Sequence, residues 1–381
     1  MSAVESSLRA PARTTYTFTS ESVSEGHPDK VCDYIADSIL DAHLVQDPDS
    51  RVACEVLCKE DRVVLAGEIT SGATVDLDAV VRQAIEEIGY VDPDQPFRPD
   101  AVKILSFLSQ QSSEIDQGVS AGTSLSGEQG AGDQGIMFGY ATAETPELMP
   151  LPILLAHRLA ATLATHRKIG TVDWLRPDAK TQVSVTYCGN EPLQVTDVLI
   201  STQHAASVDR ETIRNFLATT VIPEALAGWF HDDLRILVNP TGSFVLGGPS
   251  ADAGVTGRKI IVDTYGGMGR HGGGAFSGKD SSKVDRSGAY FCRKVAREVV
   301  RNGFGKKAEL QVAYAIGMAQ PISIKVDTFG TGDDRAAADF IRDNFDFRPR
   351  SIVETLDLLR PIFRTTTNYG HFGKPALPWE L

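Results

Sequence analysis

The chain has 381 residues, an ordinary hydrophobic content of 42% and a formal net charge of −13. This length suffices for two or three domains, and the negative charge disfavours nucleic acid or an acidic membrane surface as the partner. No apolar run reaches the roughly 18 residues of a membrane-spanning helix, and the first residues lack a signal-peptide core. The five cysteines include no Cys-x-x-Cys pair, so we predict reduced thiols and a cytoplasmic location.

The first third of the chain predicts a strand, a helix, a hairpin, a second helix and a further strand. Apolar residues at i+4 spacing follow Pro28, a residue favoured in the first turn, and predict a helix that ends before Pro48. Alternating apolar residues predict a hairpin over 51–58 and 62–70. The other elements of this part are a strand over 14–19, a helix over 76–88 and a strand over 101–108.

Residues 109–135 interrupt this pattern because they are rich in serine, glycine, glutamine and acidic residues. Structureless segments of this length are uncommon inside compact domains and are often functional. We therefore predict a mobile lid here. A disordered linker is the alternative.

The same order of elements returns twice in the rest of the chain. Predicted hairpins begin at equal intervals, at residues 51, 180 and 309. Because a fixed period indicates repeated units, we predict an α+β fold of three similar βαββαβ domains with pseudo-threefold symmetry. The predicted domains cover residues 16–114, 130–245 and 246–381. The later elements are helices over 151–169, 209–227, 283–302, 333–344 and 351–359, and strands over 180–188, 194–201, 234–238, 258–263, 309–317 and 321–328.

The predicted strand over 258–263 leads into a loop, 266–278, in which more than half of the residues are glycine. Glycine at this density lets backbone N–H groups approach an anion, aided by the N-terminus of the next helix. Lysines next to aspartates favour a polyphosphate bound together with Mg²⁺. They follow the loop at Lys279, Asp280, Lys283 and Asp285. A flexible surface loop is the alternative.

Two known phosphate-binding motifs match this loop only in part. The dinucleotide spacing is present at 267–272, but no helix is predicted to open at the third glycine. The P-loop pattern fits 273–279 until Asp280 occupies the position of the required serine or threonine. An ATP-dependent kinase that uses this run is therefore an alternative function.

The start of the first predicted helix is a second candidate region, with the sequence Gly-His-Pro-Asp-Lys over 26–30. Helix N-termini favour anions, so an aspartate there suits a bound cation. Asp29 and Asp285 are therefore candidate magnesium ligands, with helix capping as the alternative. His27 is a candidate donor to a phosphate or leaving-group oxygen, although a lone histidine is more often structural.

Charged and aromatic residues elsewhere add further candidates. Glu55 and Glu68 lie in apolar hairpin strands, where a cation or a substrate amine would offset the cost of burial. A solvent-facing position is the alternative. Asp178 and Lys180 form a charged pair before a predicted strand, and Phe244 follows an Asn-Pro-Thr-Gly turn. Phe244 is a candidate for stacking on a base, with core packing as the alternative.

Several unusual strings in the chain resemble the S-adenosylmethionine synthetase (methionine adenosyltransferase) family. They lie at 19–30, 130–135, 176–180, 271–280 and 369–373. The resemblance implies that methionine sulfur attacks C5′ of ATP, that the whole triphosphate leaves, and that it is then hydrolysed to phosphate and diphosphate. It also implies a pair of Mg²⁺ ions in each site, K⁺, and sites between the subunits of a homodimer, often within a homotetramer.

Matching the motifs residue by residue assigns roles to individual positions. The ATP contacts so implied are His27, Asp178, Lys180, Phe244, Asp252, Arg258, Lys259, Ala275 and Lys279. The methionine contacts are Glu68, Gln111, Asp133, Asp252 and Lys283. Asp29 and Asp285 hold Mg²⁺, Glu55 belongs to the K⁺ site, and residues 109–122 form the gating lid. The residues given catalytic roles are His27, Lys180, Arg258, Lys279 and Lys283.

One position departs from the family pattern, because Ser243 stands where an arginine usually precedes the aromatic residue. This departure concerns the affinity for ATP more than the type of reaction. A catalytically idle regulatory subunit is a third hypothesis. The presence of charged site residues, including His27, Lys180 and Lys279, argues against it.

Overall fold

The structure, a computed structural model, describes residues 14–110 and 129–381. Most of the lid predicted over 109–122, and with it Gln111, lies outside the described residues. The first part of the chain forms β1 (Thr15–Val23), α1 (Pro28–Gln46), β2 (Arg51–Lys59), β3 (Arg62–Thr70), α2 (Leu77–Ile88) and β4 (Lys103–Ser109). The middle part forms β5 (Gly135–Thr142), α3 (Leu151–Lys168), β6 (Leu175–Cys188), β7 (Glu191–His204), α4 (Arg210–Phe216), α5 (Ile222–Leu226) and β8 (Arg235–Val238). The last part forms β9 (Gly254–Val255), α6 (Ile260–Asp263), α7 (Val284–Arg301), β10 (Lys307–Tyr314), β11 (Ser323–Asp327), α8 (Asp334–Asn344) and α9 (Pro349–Leu356).

Within residues 14–110 and 129–381 the strands form three sheets, and each sheet takes one strand from a distant part of the chain. The strand orders are β1-β6-β7-β8, β11-β10-β5 and β4-β3-β2-β9. The three predicted hairpins are confirmed as the antiparallel pairs β2–β3, β6–β7 and β10–β11. The α+β class is therefore confirmed, although no sheet is built from one consecutive run of the chain.

Two local predictions are wrong, and tertiary contacts explain the first. The run 258–263 was expected to form a strand, but Ile260–Asp263 is a single helical turn. This turn brings the Asp263 carboxylate to Lys30 on α1, where the two side chains form a buried 2.6 Å ion pair. Such a contact outweighs the modest β-propensity of isoleucine and valine. The predicted helix over 209–227 is also interrupted, by a π-helical turn at Leu217–Val221.

Strand β5 was not predicted from the sequence. It pairs antiparallel with β10 over its whole length, and α7 packs against both strands. Gly139 lies under α7, where an added Cβ would come 2.0 Å from the carbonyl oxygen of Cys292. Glycine at this position therefore allows helix and strand to approach closely.

Helices α1 and α7 are fastened together by a buried ion pair. The guanidinium of Arg286 donates to both carboxylate oxygens of Asp37, at 2.7 and 2.8 Å, and both side chains are inaccessible to solvent. Bidentate geometry of this kind is what allows two charges to be buried together. The pair fixes the relative positions of the two helices, each of which carries a candidate magnesium ligand in its first turn.

None of the helices in the described part of the chain has the length and apolarity needed to span a membrane.

Candidate active site

The N-terminus of α1 carries the first group of site residues. His27 caps the helix, with its Nδ1 accepting a 3.2 Å hydrogen bond from the N–H of Asp29. The Asp29 carboxylate accepts from the Val255 N–H at 3.0 Å and from the Lys259 Nζ at 2.6 Å. Helix capping was the alternative to magnesium binding for Asp29, but it is His27 that caps α1. The Asp29 side chain instead contacts the segment around Lys259.

The electrostatic surroundings keep His27 neutral and Asp29 ionised. Burial, assisted by the positive charges of Lys259 and Lys180, lowers the pKa of His27 to about 3. Although burial opposes ionisation of Asp29, the hydrogen bonds from Lys259 and Val255 hold its pKa below the ordinary value. His27 is therefore a neutral hydrogen-bonding group near neutral pH, and the capping bond leaves its Nε2 as the donor.

The second group surrounds the N-terminus of α7. Lys279 Nζ donates to Oδ2 of Asp285 at 2.7 Å, and Lys283 Nζ donates to the buried carboxylate of Asp280. Asp280 also accepts the Val52 N–H of β2 at 2.7 Å. Asp280 therefore anchors the loop to a strand, which explains why it stands where a P-loop has serine or threonine. The helix begins only at Val284, so the 273–279 run does not form the loop-to-helix junction of a P-loop.

The lysines of the two groups, Lys259 and Lys279, lie on adjoining loops. A Cβ placed on Gly257 would lie 2.4 Å from the Cβ of Ala275, so the segment before Arg258 touches the glycine-rich loop. Both loops dock on β2, where β9 pairs with Leu57 and Cys58 and Lys279 forms an isolated bridge with Ala53. The same strand thus positions the cations of both groups.

Strand β6 supplies two more predicted residues. Asp178 is buried, and its Oδ2 accepts the Gly248 N–H at 2.8 Å. Its Oδ1 has no partner among the described residues, and burial raises the pKa of this carboxyl group to about 6. Lys180 is exposed and pairs with Val23 of β1, close enough for its charge to act on His27.

A cavity of about 480 Å³ opens between strands β1 and β6 and the segment that precedes the glycine-rich loop. Arg258 and Lys259 line one side of it, and Glu21 and Gln182 line the other. Arg258 is 58% exposed and lies 3.8 Å from Asp29. The cationic segment is therefore accessible from solvent next to the first group of site residues.

The remaining predicted acidic residues make no described hydrogen bond or ion pair to these two groups. The charge of Asp252 nevertheless acts on Asp178. Glu55 and Glu68 are exposed on the open face of the sheet β4-β3-β2-β9, although Glu55 is near enough to Lys279 to interact with its charge. Partial burial raises the pKa of Glu55 above its ordinary value. Asp133 and Asp252 are also exposed, and each accepts a hydrogen bond from the N–H of the next residue. Phe244 is half-buried, and its backbone pairs with His204.

Sequence reasoning missed the carboxylates further along α1. Asp33 and Asp37 accept hydrogen bonds from the backbone N–H groups of Gly257 and Gly278, both at 2.8 Å. The available signal was the recurrence of aspartate at every fourth position after Asp29, which places these side chains on one face of a helix.

Comparison with known proteins agrees with the family resemblance. Sequence profiles for the three domains of S-adenosylmethionine synthetase match residues 15–113 (N-terminal domain), 128–244 (central domain) and 246–381 (C-terminal domain). An S-adenosylmethionine synthase of Akkermansia muciniphila is 56% identical, over 96% of this chain and 95% of that protein. One of Sorangium cellulosum is 54% identical, over 96% of this chain and 87% of that protein. The chain therefore belongs to the S-adenosylmethionine synthetase family, and its activity is the synthesis of S-adenosylmethionine, as the sequence analysis predicted.

Proposed function

We propose that the two cationic groups around Lys259 and Lys279 receive the triphosphate of ATP while methionine sulfur attacks C5′. The observation that carries this proposal is a pair of lysine–aspartate contacts, each with its aspartate in the first turn of a helix. The two loops that carry the lysines touch at Gly257 and Ala275. A thioether sulfur is already nucleophilic, so the reaction needs in-line placement and stabilisation of the leaving polyanion rather than a general base. The bound triphosphate is then cut to phosphate and diphosphate.

Each of the proposed catalytic residues has a role that its position supports. His27 is neutral and donates a hydrogen bond towards the oxygen that leaves C5′. Arg258, Lys180, Lys279 and Lys283 are cations that stabilise negative charge as it develops on the departing triphosphate. We also assign Lys283 to the sulfur and methionine end of the site. Preorganised charges of this kind cost no reorganisation during the reaction.

The other assignments concern recognition of the substrates. Asp178, Phe244, Asp252, Lys259 and Ala275 are proposed to contact ATP, and the unpartnered Oδ1 of Asp178 supports a hydrogen bond to the nucleoside. Glu68, Gln111, Asp133, Asp252 and Lys283 are proposed to contact methionine. Lid closure by 109–122 would exclude water during the transfer.

We assign Mg²⁺ to Asp29 and Asp285 and K⁺ to Glu55. Mg²⁺ usually binds one or two carboxylates together with substrate phosphates and water, rather than a cage made only of protein. The structure is compatible with this mode, since no group of three or more His, Cys, Asp or Glu side chains in the described ranges is arranged to hold a metal ion. When bound, Mg²⁺ neutralises charge on the triphosphate.

We infer that the site is completed by a second copy of the chain, in a homodimer or a homotetramer. The open face of the sheet β4-β3-β2-β9 carries exposed apolar side chains beside its acidic residues, with Phe107 68% exposed, Leu105 47% and Leu57 40%. Strand register places Glu55 beside Ala66 and Ala66 beside Phe107, so the three residues form one row across this face. An exposed apolar patch that surrounds candidate site residues favours an interface at the site.

We further propose a cytoplasmic location and a pseudo-threefold arrangement of domains over 16–114, 130–245 and 246–381.

Phosphorus NMR of the products tests this function against its alternatives. The purified chain is supplied with ATP, methionine, Mg²⁺ and K⁺. Phosphate and diphosphate in equal amounts, together with S-adenosylmethionine, are expected. Accumulation of ADP would support the kinase alternative instead. No turnover by a folded sample would support an idle regulatory subunit.

A further inference from the structure

Helix α1 carries a row of carboxylates that extends beyond the candidate magnesium ligand at its start. Aspartate occurs at every fourth position, at Asp29, Asp33, Asp37 and Asp41. Residues four apart lie on one face of a helix, one turn above the next. Each of these carboxylates accepts backbone N–H groups from a segment far away in the sequence, so the row docks several segments on a single rigid element.

The two middle carboxylates hold the loops that carry the proposed triphosphate cations. Oδ1 of Asp33 accepts the Gly257 N–H at 2.8 Å, and Gly257 directly precedes Arg258 and Lys259. Oδ1 of Asp37 accepts the Gly278 N–H at 2.8 Å, and Gly278 directly precedes Lys279. The same contact, an aspartate to the glycine before a site cation, thus occurs twice at an interval of four residues.

The backbone at both glycines requires this residue type. Gly257 has a φ of +74° and Gly278 a φ of +81°, a region that residues with a Cβ rarely adopt. An added Cβ at Gly278 would also lie 2.1 Å from the carbonyl oxygen of Cys54. The N–H of each glycine donates to a carboxylate of α1, and a site cation follows directly in the chain. Because one helical turn spans about 5.4 Å, the helix fixes the separation of the two loops.

Both carboxylates are held in place by buried cations. Asp37 pairs with Arg286, which also donates to the carbonyl oxygen of Lys279 at 3.1 Å. Asp33 lies 3.0 Å from the Nζ of Lys30, and neither side chain is accessible to solvent. Neither carboxylate reaches the surface of the site, so neither can contact a substrate directly. Their effect on the reaction has to pass through the loops.

We propose that Asp33 and Asp37 are positioning residues for the triphosphate, Asp33 acting through Arg258 and Lys259 and Asp37 through Lys279. This inference rests on the proposed function, in which these cations bind the triphosphate. A 1 Å displacement of such a group is enough to reduce the rate of a reaction that depends on alignment.

Asp41 provides a matched control on the same helix face. Its two carboxylate oxygens accept the N–H groups of Phe363 and Arg364, at 3.0 and 2.9 Å, a segment to which we assign no substrate contact. Asp41→Asn therefore removes the same charge from the same helix without altering a cationic loop. Asp33→Asn, Asp37→Asn and Asp41→Asn are compared for thermal stability, for kcat and KM, and for binding of inorganic tripolyphosphate by calorimetry.

We expect all three variants to lose stability. Only Asp33→Asn and Asp37→Asn are expected to bind tripolyphosphate at least about tenfold more weakly, with the KM for methionine little changed. Equal tripolyphosphate binding by Asp37→Asn and Asp41→Asn would overturn the proposal. Tripolyphosphate binding by Lys279→Ala as tight as that of the wild-type protein would overturn the proposed function instead, so the two failures are distinct.

A double-mutant cycle separates positioning from a purely structural effect. If Asp37 acts through Lys279, the variant with both Asp37→Asn and Lys279→Ala should bind tripolyphosphate no more weakly than Lys279→Ala alone. Additive losses would contradict the proposal. Should Asp37→Asn fail to fold, the corresponding cycle of Asp33→Asn with the combined Arg258→Ala and Lys259→Ala change decides, with the same two outcomes.

Discussion

Lys259 and Asp29 form a 2.6 Å hydrogen-bonded ion pair across 230 positions of sequence. Lys279 and Asp285 form a similar pair at 2.7 Å on the neighbouring loop. Each pair joins a proposed phosphate-binding cation to a proposed magnesium ligand. When a triphosphate binds together with Mg²⁺, each lysine can pair with a phosphate and each aspartate with the metal ion. Substrate binding would therefore break both ion pairs without leaving any charge unpartnered.

Replacing Lys279 with alanine should reduce kcat by about a hundredfold to a thousandfold, because a preorganised cation that stabilises the leaving group is lost. Thermal unfolding should change little, since Lys279 and its partner Asp285 are both partly exposed, so that its removal leaves no fully buried charge. Steady-state formation of S-adenosylmethionine checks this. Lys325→Ala, on the edge strand β11 and 65% exposed, is the matched control and should keep normal activity. Near-normal turnover by the Lys279 variant would contradict the triphosphate role.

His27→Asn should retain more activity than His27→Ala. The amide of asparagine can cap α1 and still donate a hydrogen bond, and the structure gives His27 a neutral, not a cationic, role. Alanine provides neither interaction. Comparison of kcat for the two variants checks this, and equal losses would show that the imidazole itself is required.

The stability of the wild-type protein relative to His27→Asn should fall as the pH decreases below 6.5. The pKa of His27 is lowered to about 3 in the folded protein, whereas the unfolded chain takes up the proton near pH 6.5. Between these values the unfolded state binds more protons, so acidification favours unfolding by up to about 1.4 kcal/mol per pH unit. Urea denaturation of both proteins at pH 7.5 and 5.5 measures the difference. A difference that is independent of pH would place the pKa of His27 near its ordinary value.

Ser243→Arg should lower the KM for ATP by about threefold to tenfold with little change in kcat. Ser243 is exposed in the turn before Phe244, so an arginine there would meet solvent or bound nucleotide without a clash in the core. A cation that binds the ground state and the transition state equally changes KM alone. Thr241→Arg, on an exposed position of the same turn, controls for a general effect of positive charge. An unchanged KM would mean that Ser243 lies away from ATP.

Phe107→Asp should convert the assembly to monomers and abolish activity. A carboxylate among the exposed apolar side chains on the open face of the sheet β4-β3-β2-β9 would be desolvated on association without a partner. Light scattering after size-exclusion chromatography measures the mass. Phe329→Asp, on a residue 42% exposed just after β11, is the control and should leave the assembly intact. A Phe107 variant that keeps its assembly would place the interface elsewhere.

The hairpins were predictable because alternation of apolar residues and short turns are local properties of the chain. Helices α1 and α7 were predictable for the same reason, as were the residues that open them, such as His27 and Lys283. The strand predicted over 258–263 was wrong because a buried partner, Lys30, lies far away in sequence and draws Asp263 into a helical turn.

The sequence alone determined the α+β class, the hairpins, the family and the cationic loop, since each depends on a run of neighbouring residues. Only the tertiary structure decided that β1, β5 and β9 join sheets formed by distant hairpins. It alone also decided that Asp33 and Asp37 hold the glycines before the site cations. These arrangements depend on pairings between residues far apart in sequence, whose energies come from burial and charge in the folded core. A local pattern such as the regularly spaced aspartates of α1 does not show which segments those side chains hold.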